Sequence, residues 1–395
     1  MKSTLKKLSQ YAAWPSLTDR DVHRLISEQL TTLFPTMPTG DKCNVQTVSD
    51  IVVKASVDGA VIEGTCNDLN TAPTGLTVRT YLNEALSVTE LTAWQCAVNV
   101  RLHEGLPDRL WHAPLALAID LHDEPFYGKD PLLQAYACRS EAKAGTTWFY
   151  RVATVYVLHK GVPFTLGVLF VLREHTKLSM LQSLLGLVTS LGLRIQCLYM
   201  DKGFCGRAVV EYLETADYPA IIACSIRGKR GGTRALCHGR KSYWTDYTFS
   251  AGTPEAYTAR LAVVRTYETK RGKRTAVWLL YVVIHVKVQD PNTIRARYRS
   301  RFGVEGSYRC MRQTHAKTTS RNPMLRFFLL GVSFLILNLW VTLRWHFCQI
   351  PRRGGRKVNK KGYELQRHRK FLSRVIAQLY DAVGVIQAQA VPLQP

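Results

Sequence analysis

From residue 114 this 395-residue chain changes from helical spacing to a fixed alternation of strands and helices, and that order limits the folds open to it. The apolar run at residues 115–119 leads straight into Asp120. Residues 148–158 (WFYRVATVYVL) are rich in β-branched and aromatic side chains, which suit a pleated surface. A short turn containing Lys160 and Gly161 joins them to residues 163–172 (PFTLGVLFVL), and the pair is expected to form an antiparallel hairpin. A helix is expected over 178–191, a strand over 194–200 that stops at Asp201, a short helix over 206–213 and a strand over 220–224. The order is three strands, helix, strand, helix, strand. A further helix is needed to complete it, but residues 226–290 intervene, with alternating strand patterns and the basic turn around Gly272. They are expected to form a β-rich insertion before a helix over 293–315.

The charge points to a polyanionic partner. Lys and Arg number 53 against 29 Asp and Glu, a net charge of +24, and nucleic acid accounts for that excess best. Hydrophobic residues make up 46%, enough to exclude a disordered chain. The ten cysteines contain no CxxC pair and several lie in apolar runs, which implies buried thiols in a reducing compartment. Lys2, Lys6 and Lys7 are not followed by an apolar run, so no secretory signal is expected. Residues 327–343 are almost wholly apolar. The stretch has 17 positions by that numbering, short of the roughly 20 a bilayer asks for, and contains Asn338, so a buried core helix is expected and no membrane.

Residues 1–105 have helical spacing throughout. Within them, residues 62–69, a turn at 71–75 holding Pro73 and Gly75, and residues 76–86 have the pattern of a helix-turn-helix. Thr77, Arg79, Thr80 and Asn83 would lie on its exposed side, able to reach phosphates or base edges. The C-terminal part, residues 346–395, combines a basic segment with a last helix over 365–385 and is expected to be a separate helical tail.

Phosphodiester cleavage or transfer requires several oxygen ligands held close together for divalent cations, and carboxylates from different elements of one sheet supply them. Asp120 and Asp201 each follow an apolar strand pattern. Asp123, Glu124 and Asp130 compete for the first position but are expected in a Pro/Gly loop. Lys202 and Gly203 follow Asp201, with Gly203 needed by the turn and Lys202 near phosphate. On the expected last helix, Tyr298, Arg301, Glu305 and Arg312 project into an arc of roughly 60° at about 100° per residue. An acid set among bases on one face suits a surface that handles phosphate. The glycines at 228–232 lack the frame of a phosphate-binding P-loop.

These motifs together resemble an insertion-sequence DDE transposase of the YREK class, in which Tyr, Arg, Glu and Lys follow one another at the spacing of Tyr298, Arg301, Glu305 and Arg312. Arg312 stands where the class has Lys; it keeps the charge but presents a planar fork. The segments around Asp120 and Asp201 and the basic loop at 227–232 also resemble that class, over roughly residues 45–345. The resemblance implies an α/β protein with an RNase-H-like mixed sheet flanked by helices over 106–225 and 291–345, a β-rich insertion over 226–290 and a helical DNA-binding domain over 1–105. It implies that Asp120, Asp201 and Glu305 bind two Mg²⁺ ions, or Mn²⁺, and that Tyr298, Arg301 and Arg312 hold phosphates. The implied reaction is hydrolysis at a transposon end, followed by attack of the freed 3′-OH on target DNA. The implied partners are terminal inverted repeats and target DNA, with a dimer at synapsis, in a prokaryotic-type cytoplasm beside the nucleoid. Some members hold a DNA end against an aromatic residue of the insertion; Trp244 and Trp278 lie there, although core packing is the expected role of both. The alternative is an RNase-H-like nuclease that only hydrolyses nucleic acid.

Overall fold

The computed structural model describes residues 14, 16–33, 40, 43–159, 162–229, 231–270, 272–302, 308–352, 355–359 and 361–385. The chain divides into two compact units. One is built from Leu102–Arg309, the other from Ser9–Arg101 together with Cys310–Pro395.

The second unit is helical. Its first helices are α1 (Asp19–Thr31), α2 (Val45–Asp58), α3 (Ile62–Asn67), α4 (Gly75–Ala85) and α5 (Leu91–Glu104). Thr18 and Asp21 close a reciprocal capping box on α1, and Asn44 caps α2 by accepting from the Thr47 amide. α2 ends at Gly59 in the left-handed conformation, φ 64°, where a side chain would be strained. Asp50 is buried in α2 and organises its neighbours. Its Oδ1 accepts from His23 Nε2 at 2.7 Å and Gln46 Nε2 at 2.9 Å, and its Oδ2 accepts from the Tyr380 hydroxyl at 3.0 Å.

In the other unit, β1 (Leu115–Pro125), β2 (Cys138–Lys143), β3 (Thr146–His159), β4 (Val162–Val171), β5 (Ile195–Met200), β6 (Ala220–Cys224), β7 (Tyr243–Phe249), β8 (Tyr257–Lys270) and β9 (Lys273–Ile284) form one mixed, nine-stranded sheet. The order is β2-β3-β1-β5-β6-β9-β8-β7, and β4 also pairs with β3. β3 pairs along one edge with β1. Its other edge is shared end to end by β2, opposite residues 146–149, and β4, opposite 151–159. β1, β5 and β6 are parallel, linked by α6 (Lys177–Ser190) and α7 (Arg207–Thr215). α8 (Pro291–Tyr298) packs on β8.

Three features differ from the sequence expectation. The strands of residues 226–290 do not stand apart from the sheet; β9 pairs antiparallel with β6 from Ala220↔Ile284 to Cys224↔Leu280, which covers an edge that would otherwise be open. β1 runs five residues past Asp120, so Asp123 and Glu124 lie on the strand and not in a loop. Of the helix expected over 293–315, the described residues are α-helical to Tyr298, tighten into a 3₁₀ turn, Arg299–Phe302, and are α-helical again at 308–311. At three residues per turn the side-chain arc computed for an α-helix no longer applies.

The helical unit is completed by α9 (Pro323–Phe347) and α10 (Leu365–Leu379). α9 is long and apolar enough to cross a bilayer, but 94% of its most apolar window is buried inside the protein. It packs against α1, α2 and α10. At Gly331 a Cβ would come 2.5 Å from the ring of Trp94, so α5 and α9 make a close approach at that glycine. The sequence expectation of a separate tail over 346–395 is also corrected. α10 buries Leu365, Leu372, Val375 and Ile376, packs on α1 and α2, and leads to Asp381, whose carbonyl accepts from the Asn70 amide at 2.8 Å. The pattern was legible as an amphipathic helix, but its distant partner was not.

Tyr380→Phe removes a hydrogen bond to a buried carboxylate and should cost about 1.5–3 kcal/mol in urea unfolding of the full chain. Gly331→Leu should cost at least about 1–3 kcal/mol through overpacking against Trp94; unchanged stability in either variant would contradict the packing described.

Candidate functional site

The parallel pairing of β1 and β5 builds the site. Ile119 pairs with Met200, so Asp120 and Asp201 follow one register pair on neighbouring strands. Adjacent strands lie about 4.8 Å apart, and paired residues of parallel strands project to the same side. The Asp120 side chain is 17% exposed and Oδ1 accepts from the Leu121 amide at 3.0 Å. Asp201 caps a 3₁₀ turn, Lys202–Phe204, by accepting from the Gly203 amide at 2.9 Å. A Cβ at 203 would come 3.0 Å from Asp201 Oδ1, so the turn favours glycine there. Lys202 is exposed beside it.

The Arg301 guanidinium lies beside Asp120 and is within the field of Asp201. Nη1 is 3.5 Å from Asp120 Oδ2. Burial pulls the Arg301 pKa down, but the field of Tyr298, Asp120 and Asp201 more than offsets this and leaves it raised. Nε and Nη1 are buried and, among the described residues, make no hydrogen bond. Tyr298 is also buried and donates its hydroxyl to the Met200 carbonyl at 3.1 Å, at the residue just before Asp201. Burial pushes its phenol up to about 12. Tyr298 therefore fastens α8 to the end of β5, and its donor is already engaged.

Glu305 lies outside the described residues. On either side of it, Arg301 reaches Asp120 and Tyr308 reaches Thr154, the β3 partner of Asp120. The Tyr308 hydroxyl is 2.7 Å from Thr154 Oγ1 and its ring stacks on His122 at 5.2 Å between centroids. These three residues escaped sequence reasoning. Alternation along β3 marks Thr154 as sharing a face with Asp120 only once the register is known.

The rival acids are already engaged. Asp123 takes both of its oxygens to Arg151, at 2.6 and 3.0 Å. Asp130 caps a one-turn helix by accepting from the Leu132 amide at 2.9 Å. Glu124 is 3.9 Å from His122. Lys177 is in the field of the Asp123–Arg151 pair and of Asp201: burial and then Arg151 lower its pKa, while Asp201 and Asp123 act in the opposite sense. Among the described residues no group of three or more His, Cys, Asp or Glu comes together as a metal centre. No disulfide joins the ten cysteines.

Arg312 lies in a 3₁₀ turn, Arg312–Thr314, and is exposed in the helical unit, whereas Tyr298 and Arg301 belong to the sheet unit. Also in the helical unit, α3 and α4 meet where a Cβ on Gly75 would come 2.7 Å from Glu63 Cα. Arg79, Thr80 and Asn83 are exposed on α4, with Arg79 paired to Glu63 at 2.8 Å. Thr77 is half-buried and engaged with Thr74, which caps the helix. In the sheet unit, Trp244 and Trp278 are both half-buried; Arg260 lies over Trp244 at 4.0 Å and Arg265 over Trp278 at 5.9 Å.

No family model and no curated protein matches the chain. Among solved structures, a piggyBac transposase in a synaptic complex with hairpin DNA is similar over 93% of this chain and 80% of that chain, with a TM-score of 0.55 and 12% identity. At that identity the likeness is one of fold.

Asp123→Ala strands a half-buried Arg151 and should cost about 2–3 kcal/mol, while Tyr298→Phe should cost about 1 kcal/mol. Chemical denaturation of both variants measures the difference, and equal, negligible costs would overturn these assignments.

Proposed function

We propose that the chain is a DNA transposase of the DDE type, with an RNase-H-like core formed by β4-β3-β1-β5-β6. The observation that carries this is the pair Asp120 and Asp201, one residue beyond the Ile119↔Met200 register pair, with the Arg301 guanidinium 3.5 Å from Asp120. The fold likeness to a piggyBac transposase and the net charge of +24 support the same substrate, double-stranded DNA. The Tyr298, Arg301, Glu305 and Arg312 spacing supports the narrower insertion-sequence YREK assignment.

The donor set fits divalent cations such as Mg²⁺ or Mn²⁺: hard carboxylate oxygens, with no thiolate or imidazole required. Asp120 and Asp201 would hold them together with Glu305. Bound there, such ions would supply Lewis-acid activation of phosphodiester and water. Arg301 neutralises the paired carboxylates and offers buried N–H groups toward a phosphate. Lys202 is exposed next to Asp201, where an ammonium can meet the DNA backbone. Tyr298 acts as a positioning residue, since its hydroxyl fixes the end of β5 and with it Asp201. The exposed face of α4, with Arg79, Thr80 and Asn83, is the proposed reader of the element's ends. The reaction begins with hydrolysis at the end of the element; the released 3′-OH then attacks a target phosphodiester, exchanging one ester for another. Two ends joined to one target imply a dimer at synapsis.

The test uses labelled donor fragments carrying the DNA that flanks the reading frame on either side, a target plasmid and Mg²⁺ or Mn²⁺. Joined product is expected. Asp120→Asn, Asp201→Asn and Glu305→Gln should each lower joining by about 10²–10³-fold, the scale of losing one group from a preorganised electrostatic site, with DNA binding retained. Hydrolysis without joining would favour the nuclease alternative, and cleavage unaffected by these substitutions would overturn the carboxylate assignment.

A further inference from the structure

A second basic site lies where β2 and β4 meet end to end on β3. There an open groove of about 470 Å³ is lined by Arg139, Trp148, Arg151, Arg173, His175 and Met180, among others. Arg139 on β2 pairs directly with Trp148 on β3. The guanidinium groups of Arg139 and Arg173 each lie 4.8 Å from the centroid of the Trp148 ring. The two arginines are held differently. Arg173 donates Nε to the Ala137 carbonyl at 3.0 Å and Nη2 to the Gln134 carbonyl, which fixes its plane. Arg139 is exposed and stacks on the indole without a carboxylate or carbonyl partner among the described residues, so its N–H edge is available. His175 Nδ1 accepts from the Leu172 amide at 2.9 Å. The proton of its neutral ring is therefore on Nε2, which leaves a second donor. Arg151 is neutralised by Asp123, so the groove keeps the uncompensated charge of Arg139 and Arg173.

Planar cations ordered on an aromatic ring, with little charge opposing them, suit a phosphate diester. The groove also has a definite place relative to the carboxylates. Trp148 adjoins Phe149, which pairs with Pro125 at the end of the strand that carries Asp120. At about 3.3 Å per residue this is roughly 20 Å from Asp120, or about six nucleotides along a DNA strand.

We propose that this groove is a second DNA-backbone site, which grips a phosphate of the duplex about six nucleotides from the scissile one, with Arg139 as its principal contact. The assignment rests on the transposase reading of the Asp120 and Asp201 site. Arg139 supplies affinity and register there and takes no part in the chemistry.

Binding of a fluorescein-labelled, mixed-sequence DNA duplex to the full chain, followed by anisotropy in EDTA over a range of salt concentrations, tests it without cleavage. Arg139→Ala should weaken binding roughly five- to tenfold at about 0.1 M salt and lower the slope of log K against log salt by about 0.9, the loss of one phosphate contact. Arg139→Glu should weaken binding further. Arg139→Lys should restore the slope but not the full affinity, because an ammonium cannot stack on Trp148 as a plane. Wild-type affinity and slope in Arg139→Glu, at an unchanged melting temperature, would overturn the proposal. Failure of the wild-type chain to bind the duplex at low salt would overturn it together with the transposase assignment. Normal binding with an Arg139-dependent slope, but no cleavage of donor ends, would overturn the transposase assignment and leave the groove standing.

Discussion

The register between β1 and β5 is the constraint on which the candidate site depends. Once Ile119 lies opposite Met200, the residue that follows each is an aspartate, Asp120 within β1 and Asp201 just past the end of β5. Two carboxylates at the ends of neighbouring strands repel, by roughly 3 kcal/mol if separated by one strand spacing of about 5 Å at an effective dielectric of 20. Such a pair persists in a folded chain only where positive charge offsets it. Arg301 supplies that charge, and Tyr298, three residues earlier, fixes the helix that delivers it by bonding to the Met200 carbonyl. The carboxylate pair, its counter-charge and the helix anchor thus converge on the last residues of one strand. A one-residue slip of β5 would carry Asp201 to the opposite face and break all three relations.

The helical unit solves a different problem, that of closing a bundle from two distant stretches of chain. Asp50 does so with one carboxylate shared by His23, Gln46 and Tyr380, which belong to α1, α2 and the end of α10. A buried acid is costly unless its lone pairs are satisfied, and here three donors from separate parts of the sequence satisfy them. α9 contributes the apolar mass. Its polar residues are accommodated inside the bundle, with Ser333 donating to the Thr314 carbonyl at 2.7 Å and Thr342 to the Asn338 carbonyl at 2.9 Å. Composition alone cannot separate a membrane span from a core helix; the surrounding helices make α9 the second.

Local signals were legible in the sequence and long-range pairings were not. Asp120 and Asp201 stand out because each follows an apolar run, and the strands and helices expected between residues 114 and 224 are all present because period and turn residues are local properties, but β2 (Cys138–Lys143), whose residues are mostly polar and half-exposed or exposed, was missed. The end of β1 was hidden, since residues 121–125 mix acids, a histidine and a proline and owe their strand state to pairing with β3. The attachment of β9 to β6 depends on residues some sixty positions apart in the chain, from Ala220↔Ile284 onward, and no local pattern encodes it. The Tyr298-to-Arg312 face was over-read because one α-helical period was extended through a segment that turns 3₁₀ at Arg299. Arg301 nonetheless lies beside Asp120, at 3.5 Å, from a 3₁₀ turn and not from a continuous α-helix.

The distribution of arginine in the sheet unit bears on why the chain carries so much positive charge. Arg139 and Arg173 stack on Trp148, Arg260 on Trp244, Arg265 on Tyr267 and Trp278, and Arg274 on Tyr267. Stacking holds a guanidinium by its face, at a cost in side-chain entropy met partly by the ring; the Arg139 edge stays outward, while Arg173 and Arg265 also donate to backbone carbonyls. A solubilising surface has no need of that order, and lysine on flexible stems would serve it equally well. Ordered guanidinium groups repel one another while the protein is alone, and anions that meet them at fixed spacing relieve that repulsion. A regular polyanion such as duplex DNA satisfies this condition, because its phosphates repeat along a stiff backbone. The half-buried rings of Trp148, Trp244 and Trp278 and the exposed ring of Tyr267 thus act as mounts for five arginines, which gives part of the excess of 53 basic over 29 acidic residues a fixed place.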